Sequence, residues 1–174
     1  MFGQLIVSGL AVGFCYALIA LAMVIIYKTS EVLNFAQGEM AMISSFIAFA
    51  LLDTYQISFP IALVLTLLFA AALGVLLEFA FLRPAKNPTV IGMIIITLGF
   101  EMILMGIAGW KWGPDQRSLP FPVPSFETYN FGGLVVSKIN FWTIIICLIL
   151  IVLLFVFFQY SKLGTAMRAT QQNR

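Results

Sequence analysis

The residues best suited to chemistry form one polar stretch, Asn34-Phe35-Ala36-Gln37-Gly38-Glu39, between two apolar runs. Its amide and carboxylate side chains make hydrogen bonds. Three such side chains around Gly38 suit a discontinuous helix, whose helix end and unwound backbone can bind polar groups. Polar groups near a bilayer must be satisfied by protein or water. Asn34, Gln37, Gly38 and Glu39 are therefore candidates for lining a polar path.

Glu101 is a further candidate because it stands near the middle of an apolar run, residues 90–110. An ionisable group at that depth normally faces the interior of a helix bundle. A hydrogen bond to a neighbouring helix would explain it equally well. Glu39 has a comparable alternative, since an acid in the first turn of a helix stabilises the positive end of the helix dipole. Both alternatives stay open.

The composition identifies the class of protein. Hydrophobic residues make up 62% of the chain and charged residues 9%, against about 25% charged in soluble domains. The chain is therefore an integral membrane protein. A net charge of +2 with scattered basic residues gives no indication of nucleic-acid binding. With no histidine, and with Cys15 and Cys147 inside apolar runs, we expect no metal site, catalytic Cys/His pair or disulfide framework. An enzyme is the class least favoured.

The elements that position these residues are apolar helices. Four runs are long enough to cross a bilayer, and a fifth is shorter and polar at its start. They predict an all-α, polytopic transmembrane bundle of about five helices, one of them short or discontinuous. We expect a single transmembrane domain over 1–174, with an outer loop at 111–140 and a cytoplasmic segment at 161–174. The predicted spans are about 3–27, 32–52, 59–82, 90–110 and 141–160.

The distribution of Lys and Arg predicts the orientation, because cytoplasmic loops are enriched in these residues. With the N-terminus outside, six of the nine basic residues fall on the inner side. We therefore expect the N-terminus outside and residue 174 in the cytoplasm. The inner set is Lys28, Arg83, Lys86, Lys162, Arg168 and Arg174, and the outer set is Lys111, Arg117 and Lys138.

Three separated segments carry a family resemblance. Residues 33–39 (LNFAQGE) resemble the motif I-N-F-A-H-G-E, with Gln37 at the position of the usual His. Residues 78–84 (EFAFLRP) resemble E-x-x-x-x-R-P, and residues 163–173 (LGTAMRATQQN) resemble a cytoplasmic G-x-A-M-R-A-x-x-x-N loop. In order and spacing they are similar to the permease subunits of branched-chain amino acid ABC importers, of the H type.

This resemblance implies transport of leucine, isoleucine and valine across a bacterial or archaeal inner membrane, by alternating access. On this interpretation the polar residues singled out above, Asn34, Gln37, Gly38, Glu39 and Glu101, are candidates for the substrate path. Implied partners are two ATP-binding cassette subunits, a second, M-type permease, and a periplasmic or extracellular amino-acid-binding protein that touches the outer loop. The coupling loop would dock into the ATPases through Gly164, Ala166, Met167, Arg168, Ala169 and Asn173.

ATP would be bound by the partners, so no cofactor is expected in this chain, whose sequence has no G-x-x-x-x-G-K-[ST] phosphate loop. Family members have about eight spans, so the resemblance implies a truncated gene product or a fragment. Two alternatives stay open. One is the permease of a related importer for urea or short amides, and the other is a non-transporting scaffold or channel-like bundle.

Overall fold

The structure is a computed structural model that describes residues 2–30, 32–85, 89–113, 115, 118–119, 128–131 and 134–160. The chain divides into two compact units. The terminal unit combines Met1–Ser30 with Val123–Arg174, and the central unit is Glu31–Pro122. Each unit is built around packed helices, and each is described separately below.

Five helices and one β-hairpin make up the described elements, which confirms the all-α class. The hairpin was not predicted. Two of the helices continue into π-helical turns, α2 through Ala50–Thr54 and α3 through Leu77–Leu82. The bounds are α1 Phe2–Ser30, α2 Gln37–Phe49, α3 Phe59–Leu76, α4 Val90–Trp112, β1 Thr128–Phe131, β2 Leu134–Ser137 and α5 Lys138–Tyr160.

Four helices are long and apolar enough to cross a membrane, as predicted. Their spans are Phe2–Lys28, Phe59–Leu82, Val90–Trp112 and Lys138–Tyr160. The shorter predicted element, 32–52, begins as a helix only at Gln37. The segment between the helices is shorter than the expected outer loop 111–140, because α4 runs to Trp112 and α5 begins at Lys138. The single-domain organisation stays a prediction.

The ends of α4 follow from local residue chemistry. Thr89 precedes the helix in an extended conformation, and its side chain accepts a 3.1 Å hydrogen bond from the Gly92 backbone N–H. Such a cap satisfies one of the donors left open at a helix start. At the other end Gly113 has φ +76°, a conformation that glycine adopts without steric cost. Its N–H donates to the Gly109 carbonyl at 3.1 Å, which ends the helix.

The terminal unit consists of α1, α5 and the hairpin. β1 and β2 are antiparallel, with Thr128 paired to Ser137. The Tyr129 ring packs edge-on against Phe141 at a centroid distance of 5.7 Å. The Lys138 ammonium lies 5.1 Å from the centre of the Tyr129 ring. These contacts attach the hairpin to the first turn of α5.

The central unit has a small apolar core where α2, α3 and α4 meet. Because lipid surrounds most of a membrane helix, close packing of side chains holds such helices together. The Phe81 and Phe100 rings lie 5.1 Å apart and join the end of α3 to α4. The buried core residues are Ala36, Ile43, Leu77, Phe100, Leu104 and Ala108.

Candidate functional site

The polar stretch lies at the start of α2 in the central unit. The helix begins at Gln37, so Gln37, Gly38 and Glu39 form its first turn, the position that one of the two alternatives gave Glu39. Asn34 precedes the helix in an unwound segment, residues 32–36. The first N–H groups of a helix have no acceptor within it. An anionic group is therefore stabilised at this end of α2.

Asn34 shapes the unwound segment from within. The residue is 9% exposed. Its Oδ1 atom accepts a 3.1 Å hydrogen bond from the Ala36 backbone N–H, and its carbonyl accepts one of 3.4 Å from Gln37 N–H. Its Nδ2 atom lies 3.9 Å from the Met40 sulfur. Asn34 therefore makes its hydrogen bonds within the segment itself.

Thr97 on α4 completes the hydrogen bonding of the segment, and the sequence interpretation missed it. Its side chain is 1% exposed. The hydroxyl accepts from the Phe35 backbone N–H at 3.4 Å and donates to the Ile94 carbonyl at 2.9 Å. The available signal was a hydroxyl residue inside an apolar helix, one turn before Glu101.

Gly38 and Glu39 keep open space around the start of α2. Gly38 is exposed, and a Cβ atom added there would meet no other atom within 4 Å. Gln37 and Glu39 are half-buried, and Ala36, the residue before the helix, makes no side-chain cap. The first turn therefore carries an amide and a carboxylate on either side of an exposed glycine.

Glu39 and Glu101 lie along one seam between α2 and α4. The Phe46 and Trp112 rings stack at 5.1 Å, and they mark where α2 and α4 face each other. Phe46 follows Glu39 by seven residues and Trp112 follows Glu101 by eleven, about two and three helical turns. Each carboxylate therefore projects from the same side of its helix as the stacked ring. Both glutamates are half-buried, as expected at the edge of such a seam.

The two helices that carry the glutamates run in the same direction. Phe35 contacts Thr97 at one end and Phe46 contacts Trp112 at the other, so α2 and α4 run parallel. Glu101 lies about 6 Å along α4 from Thr97, since the helix rises about 1.5 Å per residue. Glu39 lies four residues beyond Phe35. Both glutamates therefore follow the Phe35–Thr97 hydrogen bond in the same direction along the two helices.

The second motif segment, residues 78–84, forms the π-helical continuation of α3 and the turn after it. Arg83 donates its backbone N–H to the Glu78 carbonyl at 2.8 Å, and its guanidinium lies 5.0 Å from the centre of the Phe79 ring. A guanidinium stacked on an aromatic face is a stabilising arrangement. This motif therefore has a clear structural role at the helix end.

The expected coupling residues lie outside the described residues. They are Gly164, Ala166, Met167, Arg168, Ala169 and Asn173. Among the residues that the structure describes, no group of three or more His, Cys, Asp or Glu could hold a metal ion.

Four helices that are long and apolar enough to span a membrane mark the chain as a polytopic helical membrane protein. The family described as branched-chain amino acid transport system / permease component matches residues 5–174. The chain belongs to this family.

Curated relatives agree with this assignment. The chain is 26% identical to a high-affinity branched-chain amino acid transport system permease protein, BraD, of Pseudomonas aeruginosa, over 98% of this chain and 59% of the relative. It is 29% identical to a probable branched-chain amino acid transport permease protein, LivH, of Methanocaldococcus jannaschii, over 98% and 54%.

The high-affinity LivH permease protein of Escherichia coli is 25% identical, over 99% of this chain and 59% of the relative. The chain thus spans less than two thirds of the length of these relatives. No solved structure matches it significantly.

Proposed function

We propose that this chain is part of the membrane-spanning permease subunit of an ABC importer for leucine, isoleucine and valine. The observation that carries this proposal is the match of residues 5–174 to the permease family. The relatives in Pseudomonas and Escherichia are named as high-affinity branched-chain amino acid permeases. The polar start of α2, set among apolar spans, supports a path for a small polar ligand.

The proposed substrate contacts follow from the chemistry of a zwitterion. Its carboxylate is placed at the start of α2, where the backbone donors near Gly38 favour an anion. Its ammonium group is placed beside the carboxylates of Glu39 and Glu101. The branched side chain needs an apolar wall, which Phe35 and Met42 would supply next to this turn. Gln37 adds a polar contact, while Asn34 holds the segment in shape.

Energy for transport would come from the partner subunits. Two ATP-binding cassette subunits would bind ATP and dock residues 164–173, including Arg168, on the cytoplasmic side. Nucleotide-dependent motion of these subunits would switch the path between inward and outward access. An M-type permease would complete the path, and a binding protein would deliver the amino acid near the outer segment 111–140. The complex would lie in a bacterial or archaeal inner membrane, with the N-terminus of this chain outside.

The test is uptake by the complete importer reconstituted in proteoliposomes. We expect ATP-dependent accumulation of labelled leucine that excess isoleucine and valine inhibit, and that urea and acetamide do not. Uptake of urea, with no effect of leucine, would favour the related amide importer instead. Purification of the complex without ATP-binding subunits would favour a scaffold or channel. Arg168→Glu should uncouple ATP hydrolysis from leucine delivery while leaving assembly intact.

A further inference from the structure

We propose that Thr97 is a positioning residue for the substrate site, whose hydroxyl fixes the unwound segment 34–36 against α4. This inference rests on the proposed function for its transport readout. Thr97 itself does not line the space around Gly38, since it is 1% exposed and both contacts of its hydroxyl are to backbone groups. It acts through the segment that it holds.

The unwound segment needs partners for its backbone donors because it lies next to apolar surroundings. The Ala36 and Gln37 N–H groups are satisfied by Asn34, which belongs to the same segment. The Phe35 N–H group is satisfied by Thr97, 62 residues later in the chain. Asn34 can therefore shape the segment, whereas the Thr97 hydroxyl attaches it to another helix.

This attachment sets the position of Glu39 relative to Glu101. The Phe35–Thr97 hydrogen bond joins the residue four positions before Glu39 to the residue four positions before Glu101. The Phe46–Trp112 stack holds the far end of the same seam. With both ends held, the start of α2 keeps a fixed position relative to Glu101. Loss of the hydroxyl releases the end nearest the proposed substrate contacts.

The central experiment replaces Thr97 with Val, which keeps the shape of the side chain and removes its hydroxyl. Removing the acceptor of the Phe35 N–H destabilises the attachment of the segment, so we expect the KM for leucine uptake to rise about tenfold. The maximal rate per assembled complex should change less than twofold. Thr97→Ser, which keeps the hydroxyl, should restore a KM close to that of the wild type.

Thr66→Val is the matched control on α3. The Thr66 hydroxyl is buried and has no hydrogen-bond partner among the described residues, so its loss should leave the KM unchanged. An unchanged KM in Thr97→Val overturns the proposal, as does a lower maximal rate with a normal KM. If Thr97→Val fails to assemble, Thr97→Ala against Thr97→Ser tests the same hydroxyl, and equal KM values for that pair overturn it.

A second measurement needs no substrate and separates this proposal from the proposed function. Spin labels are attached at Phe35→Cys and Met102→Cys, with Cys15 and Cys147 replaced by Ser. Both labelled side chains are exposed, at 40% and 77%. Electron paramagnetic resonance should show a broader distance distribution with Thr97→Val than with Thr66→Val. Identical distributions overturn the role of Thr97 whether or not the complex transports leucine, whereas absence of leucine uptake by the wild type overturns the proposed function.

Discussion

Cys15 on α1 and Cys147 on α5 lie close enough to interact with each other. Their separation of 132 residues equals that of a second pair, Ser8 and Asn140, whose side chains are 2.8 Å apart. The two pairs follow one another by seven residues on both helices, about two turns. The helices α1 and α5 therefore run parallel and keep the same register over this length.

This register predicts a cross-link between α1 and α5. Oxidation by copper(II)–phenanthroline should join Cys15 to Cys147, with two protons released and two electrons passed to copper, because the two residues occupy matching positions on the paired helices. A protease site is inserted near residue 115, between the two helices. After cleavage the fragments should remain joined on a non-reducing gel and separate on reduction.

Cys15→Ser is the control for the cross-link, because it removes one partner and leaves Cys147 in place. Its fragments should separate with or without oxidation. Separation of the oxidised wild-type fragments would contradict the packing of α1 on α5 that the structure describes.

The Phe46–Trp112 stack predicts an energetic coupling between α2 and α4. Aromatic pairs contribute about 0.5–1.5 kcal/mol beyond the apolar area they bury. We expect Phe46→Ala and Trp112→Ala each to lower the free energy of unfolding by about 1–3 kcal/mol. The double variant should show about 1 kcal/mol of coupling in a double-mutant cycle, measured by denaturant unfolding in detergent.

Trp110→Ala is the matched control for Trp112, because the Trp110 side chain is 88% exposed and stands on the same turn of α4. It should change the free energy of unfolding by less than about 0.5 kcal/mol. Strictly additive effects of Phe46→Ala and Trp112→Ala would mean that the two rings do not hold the seam together.

Much of this architecture is predictable because apolar length alone identifies a membrane span. The four long helices and the first-turn position of Glu39 follow from runs of residue types. The contact between Phe35 and Thr97 does not, since it joins positions 62 residues apart and depends on how α2 packs along α4. The β-hairpin was not predicted because its strands have only four residues each. Its sequence signal was the Gly132-Gly133 pair between short runs of β-forming residues.

We predict that substitution of Asn34 lowers the stability of the protein and affects transport only as a consequence. Asn34→Leu leaves the buried Ala36 N–H without its 3.1 Å partner, which costs about 1–3 kcal/mol. We expect less assembled complex and a lower midpoint of thermal unfolding. Phe35→Ala is the neighbouring control, since the Phe35 side chain is 40% exposed and the backbone N–H that bonds to Thr97 is kept. Normal assembly of Asn34→Leu with loss of uptake would instead point to direct substrate contact by Asn34.

The shared seam of Glu39 and Glu101 predicts that their effects on transport depend on each other. If both carboxylates face one ammonium group, Glu39→Gln and Glu101→Gln should each raise the KM for leucine. The double variant should raise it by less than the product of the single effects, because the second substitution acts on an interaction already weakened. Groups that share a partner typically show 0.5–3 kcal/mol of such coupling.

Glu78→Gln provides the comparison for this cycle, because Glu78 is exposed at the end of α3 in the same central unit. Its effect on the KM should be small and should add to that of Glu101→Gln within about 0.5 kcal/mol. Coupling between Glu39 and Glu101 no larger than that between Glu78 and Glu101 would show that the two carboxylates act at separate places. The ammonium contact would then have to be assigned to only one of them.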